Sequence, residues 1–141
     1  MRIGLLLGSF DPVHNGHLEM AQKALEADLV DQVLFVPTKQ NPWKENSTDY
    51  VTRCMMLLNA IKNIPNCKVS AIEDKIIPPY YSYKTLEALK ERYKWDDLFL
   101  IVGADIATSI KDWNNGDWIL KMIPLITVSR PGSEPTGIID I

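Results

Sequence analysis

Five short apolar runs, separated by amphipathic stretches, leave this chain few folds to choose from. The runs cover residues 3–7, 33–36, 68–72, 98–102 and 125–128. Their brevity suits strands buried on both faces rather than helices. Between them, residues 16–27, 50–62, 83–93 and the broken pair 106–111 and 117–121 repeat apolar positions at helical spacing. In the second of these helices, Val51, Met55, Leu58, Ala60 and Ile61 are assigned to one face. Strand–helix alternation predicts an α/β fold: a single Rossmann-like, doubly wound parallel sheet of about five strands, with right-handed crossovers and helices on both faces. A length of 141 residues suits one domain over residues 1–141.

Polar loops follow these strands in a consistent place. Residues 37–44 follow the second run, 78–82 the third, 103–105 the fourth and 129–132 the fifth. A parallel sheet gathers the carboxyl ends of its strands on one edge, and ligands bind there where the strand order reverses. One composite site on that edge is therefore expected. The net charge of −3 supplies no general attraction to nucleic acid or a membrane surface, so an anionic ligand needs local donors. No basic–aromatic stripe, membrane-length apolar run or signal-peptide pattern is visible, and a cytoplasmic location is expected. Cys54 and Cys67 lack metal-type spacing and read as ordinary thiols. A homo-oligomer is left open.

The first loop carries the most chemistry. Residues 8–17 read Gly-Ser-Phe-Asp-Pro-Val-His-Asn-Gly-His, directly after the first apolar run. A strand, a glycine-led turn and a helix start point backbone N–H groups and the positive helix end at one spot, which suits a phosphate. His14 and His17 are three residues apart, so their rings project from one side of a helical turn as donors. Ser9 and Phe10 lie where a hydroxyl and backbone N–H groups meet that phosphate. Asp11 and Pro12 shape the turn. Gly16 permits a close approach of chain and ligand or simply starts the helix. Arg53 either faces the site or pairs with Asp49 one helical turn away.

This string resembles the signature of the nucleotidyltransferases that carry H-x-G-H, and within them the adenylyltransferases. Later segments are similar to those of the nicotinate (or nicotinamide) mononucleotide adenylyltransferases. Pro42-Trp43-Lys44 resembles that family's Pro-Pro-His-Lys element, with the histidine replaced. Tyr81 and Ser82 before Thr85-Leu86 resemble its Ser-Tyr-Thr-x-x-Thr-Leu segment, Gly103-Ala104-Asp105 its Gly-Ala-Asp, and Arg130-Pro131-Gly132 its Arg-Pro-Gly. Trp113 matches its pyridine-stacking tryptophan, while Asn114 stands where an aromatic residue or histidine is common.

The resemblance implies adenylyl transfer from ATP, with Mg²⁺, to the pyridine mononucleotide, giving the dinucleotide and pyrophosphate. It implies His14, His17 and Lys44 as catalytic residues. ATP would be held by Gly8, Ser9, Phe10, His14, Gly16, His17, Gly103, Asp105 and Arg130, with Asp105 near the ribose. The mononucleotide would meet Ser9, Phe10, Lys44, Tyr81, Ser82 and Trp113. No protein metal ligands are expected, since Mg²⁺ is carried by polyphosphate oxygens. Such chemistry requires charge stabilisation and alignment rather than a general base, and the chain offers donors without a carboxylate pair. Two residues also have a plain structural reading: Asp105 as a helix cap and Ser82 as an N-cap.

The family continues into an Ile-Ser-Ser-Thr-x-x-Arg-like motif, whereas this chain ends at Ile141. The expectation is a nucleotidyltransferase domain lacking its C-terminal ATP-binding motif and final helices. The alternatives are a phosphopantetheine adenylyltransferase, which shares Gly-Ser-Phe-Asp-Pro, and a non-catalytic nucleotide-binding remnant.

Overall fold

The computed structural model describes residues 1–39, 48–129 and 139–141, the last segment through the backbone alone at 139 and 140. Its strands are β1 (Arg2–Gly8), β2 (Gln32–Pro37), β3 (Cys67–Val69), β4 (Asp97–Gly103), β5 (Leu125–Val128) and β6 (Ile139–Asp140). They form one parallel sheet in the order β3-β2-β1-β4-β5-β6. The order reverses between β1 and β4. β6 extends the expected five strands by a two-residue pairing with β5.

Alternation along the strands splits the core into two layers. In register, Leu5 of β1 lies beside Leu34 of β2 and Leu100 of β4. These three face one layer, with Leu86 and Leu89 of α3 (Ser82–Arg92) and Ile119 of α5 (Gly116–Met122). Their neighbours Leu6, Phe35 and Ile101 face the other layer, with Ala21 and Ala24 of α1 (Asn15–Glu26) and Leu57 of α2 (Tyr50–Ile61). Trp118 packs at the margin of the first layer, as a core residue on a helix face should.

Two elements depart from expectation. β3 stops at Val69, and Ile72–Lys75 form a 3₁₀ turn. The Ile72 N–H goes to the Ser70 hydroxyl at 3.3 Å instead of a ladder partner, which ends the strand. In α2, Val51, Met55 and Leu58 face outward, and the buried positions are Arg53, Leu57 and Ile61. The helix turns its i, i+4, i+8 row inward because Arg53 has carbonyl partners there.

Both cysteines are free and partly buried, and burial pushes the Cys67 thiol up to about 11. Among the described residues no helix is long and apolar enough to cross a membrane. At the amino edge of the sheet, a cavity of about 240 Å³ is lined by Lys90, Lys94, Asp96 and Asp97, and none of the described candidate residues lines it. Trp95, in the turn before β4 on that edge, is 89% exposed.

Candidate active site

β1 ends at Gly8, and the chain turns at Phe10, whose φ of 49° is left-handed. That conformation costs a non-glycine residue about 1–2 kcal/mol. Burial of the ring offsets the cost: Phe10 packs edge-on to His17 at 4.8 Å and beside Phe35 at 5.7 Å between centroids. The side chain of Phe10 is thus an anchor, and only its backbone remains for a ligand.

His14 is the N-cap of α1. Its Nδ1 accepts the Gly16 N–H at 3.1 Å, and its own N–H donates to His17 Nδ1 at 3.2 Å. The two rings stack with centroids 3.7 Å apart. A ring nitrogen that accepts holds no proton, so these bonds assign the proton of each imidazole to Nε2. Burial, and then the neighbouring His14, lowers His17 to about 4. At neutral pH His17 is therefore an uncharged donor. Gly16, the second residue of α1, has a further role. A Cβ there would lie 2.9 Å from His14 Cε1, so the glycine makes room for the capping imidazole.

A cavity of about 170 Å³ opens between β1 and β4, where the strand order reverses. His14, Gly16 and His17 line one wall, Gly103, Asp105 and Ile106 the other, over a floor that includes Leu6 and Val102. Pockets for whole ligands run to about 300–1,000 Å³, so this one suits part of a nucleotide. Gly103 is the N-cap of the short helix α4 (Ala104–Ala107), and Asp105 sits inside that helix with an exposed side chain. The helix-cap alternative for Asp105 therefore drops.

Tyr81 is the N-cap of α3 and Ser82 its first residue, so Ser82 is not the cap. Among the described residues no side chain caps this end, and none accepts from the Ser82 or Tyr83 N–H. Trp113 follows a 3₁₀ turn, Ile110–Asp112, and is half-buried against the layer containing Leu86 and Leu89. Tyr81, Ser82 and Trp113 lie outside the 170 Å³ cavity. Lys44 and Arg130 lie outside the described residues.

The sequence underrates two charged residues beside the first loop. Arg53 does not pair with Asp49 through its guanidinium; it is buried and its donors meet backbone carbonyls. The Asp49 carboxylate instead takes the Thr52 N–H and hydroxyl, capping α2. Glu73, in the 3₁₀ turn after β3, is buried as well. The available signal for Arg53 is its i, i+4, i+8 row with Leu57 and Ile61. Asp11 reaches farther than its own turn and accepts the Thr48 N–H at 3.0 Å.

A family model for cytidylyltransferase-like proteins matches residues 5–140. The nicotinate-nucleotide adenylyltransferase of Bacillus subtilis (strain 168) is 40% identical over 133 residues, covering 93% of this chain and 70% of that protein. A probable nicotinate-nucleotide adenylyltransferase of Carboxydothermus hydrogenoformans is 42% identical over 132 residues, covering 93% of this chain and 66% of its own length. The chain thus spans about two thirds of these relatives. The fold is similar to that of the Plasmodium falciparum nicotinic acid mononucleotide adenylyltransferase complexed with NaAD. That likeness has a TM-score of 0.82 at 19% identity, over 95% of this chain and 67% of that one.

Proposed function

The chain belongs to the nicotinate-nucleotide adenylyltransferase family, within the cytidylyltransferase-like proteins, and on that premise we propose that it transfers the adenylyl group of ATP to nicotinate (or nicotinamide) mononucleotide. The observation that carries this reading is the reciprocal cap of His14 and His17 at the wall of the β1–β4 cavity. It leaves two Nε2–H donors, fixed in tautomer and stacked, for the phosphates of a nucleotide whose nucleoside enters the cavity. In this reading Asp105, which lines the cavity, accepts from ribose hydroxyls.

The acceptor phosphate binds at the Ser9–Phe10 amides and attacks the α-phosphorus of ATP. A phosphate oxygen–phosphorus bond forms as the bond from that phosphorus to the β-phosphate bridge breaks, and pyrophosphate leaves. The acceptor is already anionic at neutral pH, so no base is required. The Nε2–H donors, with His17 uncharged at neutral pH, stabilise the charge that grows on the transferring phosphate. Mg²⁺ would enter with ATP, carried by polyphosphate oxygens and water. That ion would neutralise polyphosphate charge.

Lys44 and Arg130 complete the phosphate grip in this reading, and the uncapped start of α3 with Trp113 takes the pyridine end. Gly8 and Gly103 supply close backbone approach to ATP. With water-soluble substrates, the reaction belongs in the cytoplasm. The test is pyrophosphate release from ATP and Mg²⁺ with each mononucleotide in turn, then with both in competition. No release with either would refute the reading, and the competition ranks nicotinate against nicotinamide.

A further inference from the structure

We propose that Arg53 and Glu73 form a buried strut that sets the spacing between the phosphate loop after β1 and the first turn of α3. They are then positioning residues for the two ends of the mononucleotide. The identity of that ligand rests on the function proposed above.

Arg53 is 3% exposed and Glu73 2%. Desolvating either charge alone would be costly. Among the described residues the two form no direct ion pair; they are joined through the Thr38–Lys39 peptide. Its carbonyl accepts from Arg53 Nη1 at 2.7 Å, and its N–H donates to Glu73 Oε1 at 2.8 Å. One peptide plane thus carries the cation at one end and the anion at the other.

The strut extends in both directions. Arg53 Nη1 also donates to the Ser9 carbonyl at 2.7 Å, while Nη2 reaches the Lys39 carbonyl at 3.1 Å and Nε the Thr48 carbonyl at 2.8 Å. At the far end, Glu73 Oε2 accepts the hydroxyl of buried Thr85, one turn into α3, at 2.9 Å. Burial pushes the Glu73 carboxyl up, and the Lys39 amide, the Thr85 hydroxyl and the Arg53 charge oppose it.

The direction of the Ser9 bond matters. In a trans peptide the C=O and the following N–H point opposite ways. Holding the Ser9 carbonyl inward on Arg53 therefore turns the Phe10 N–H outward, and no described residue accepts from it. Only a planar guanidinium fork meets carbonyls of three segments from one point; a lysine ammonium keeps the charge but loses the fork.

The test compares the full chain with Arg53→Lys and Glu73→Gln in two ways. Without ligand, amide hydrogen exchange at Lys39, whose N–H donates to Glu73, should quicken about tenfold, the size of one lost charge-assisted bond, while Leu100 in β4 is unchanged. No change at Lys39, or equal quickening in β4, overturns the strut. With ligand, calorimetry should show nicotinate mononucleotide binding about tenfold weaker and ATP binding within about threefold of the parent. Equal losses for both ligands, or none for the mononucleotide, overturn the positioning role. Should Arg53→Lys fail to fold, Thr85→Val removes the far end of the strut and must show the same selective loss. A parent chain that binds neither nucleotide refutes the proposed function, and the exchange measurement still decides the strut.

Discussion

At His14 and His17 one pair of rings both caps a helix and presents donors, and the two jobs can be separated. Asparagine is a favoured N-cap, and glutamine at the third helical position reaches back to the cap N–H. His14→Asn and His17→Gln should therefore keep α1 while losing an aligned Nε2–H. We expect each to lower kcat by about 10²–10³ with a nearly unchanged melting temperature; a parallel loss of both would make the rings structural only. The depressed His17 value also has a consequence for stability. Between pH 6.5 and about 4 the unfolded chain takes up a proton that folded His17 does not, so this residue's contribution to stability falls as pH drops through that window. Melting curves of the parent and His17→Gln should diverge there, the parent losing more. The residues that make this turn were legible as a motif; the tautomers were not, because they depend on which backbone N–H each Nδ1 meets.

Helix α2 shows how an element can be found while its orientation is missed. Its limits, Tyr50–Ile61, nearly match the periodic stretch, yet the apolar row Val51, Met55 and Leu58 is exposed. Hydrophobicity ranks a methionine above an arginine, but a guanidinium with four backbone partners is satisfied inside, and Leu57 and Ile61 follow it. Leu57→Ala should destabilise the fold by about 2–5 kcal/mol. Met55→Ala should change stability by no more than about 0.5 kcal/mol, as a surface position does. Denaturant unfolding of the two variants measures both, and a larger effect at Met55 would restore the sequence-based face. β3 was misjudged for a related reason. The residues after Val69 look apolar enough to continue, but the Ser70 hydroxyl takes the Ile72 N–H and the chain turns to bury Glu73. Polar groups satisfied inside the protein leave little trace in a hydropathy pattern.

For the whole molecule, strand–helix alternation was enough to give the parallel sheet, its two-faced packing and the edge shared by the described loop residues after β1, β2 and β4. It did not give the coupling between those loops. The bonds from Arg53 to Ser9 and Thr38, from Glu73 to Thr85 and from Asp11 to Thr48 join residues up to 44 positions apart. No local pattern encodes such pairs. A ligand that binds at this edge only in the folded state should stabilise the whole domain. Nicotinate mononucleotide at a hundred times its Kd should add about 2.7 kcal/mol and raise Tm by roughly 5–10 °C in calorimetry. An unshifted Tm at that concentration would mean that the ligand does not distinguish folded from unfolded chain. The separation of the sheet's two edges also decides how the protein can be handled. With the candidate chemistry gathered at the carboxyl edge, the turn at Trp95 on the opposite edge is a place to attach a dye, a bead or an electrode. A Trp95→Cys variant would tether the molecule with the carboxyl edge of its sheet turned toward the solution.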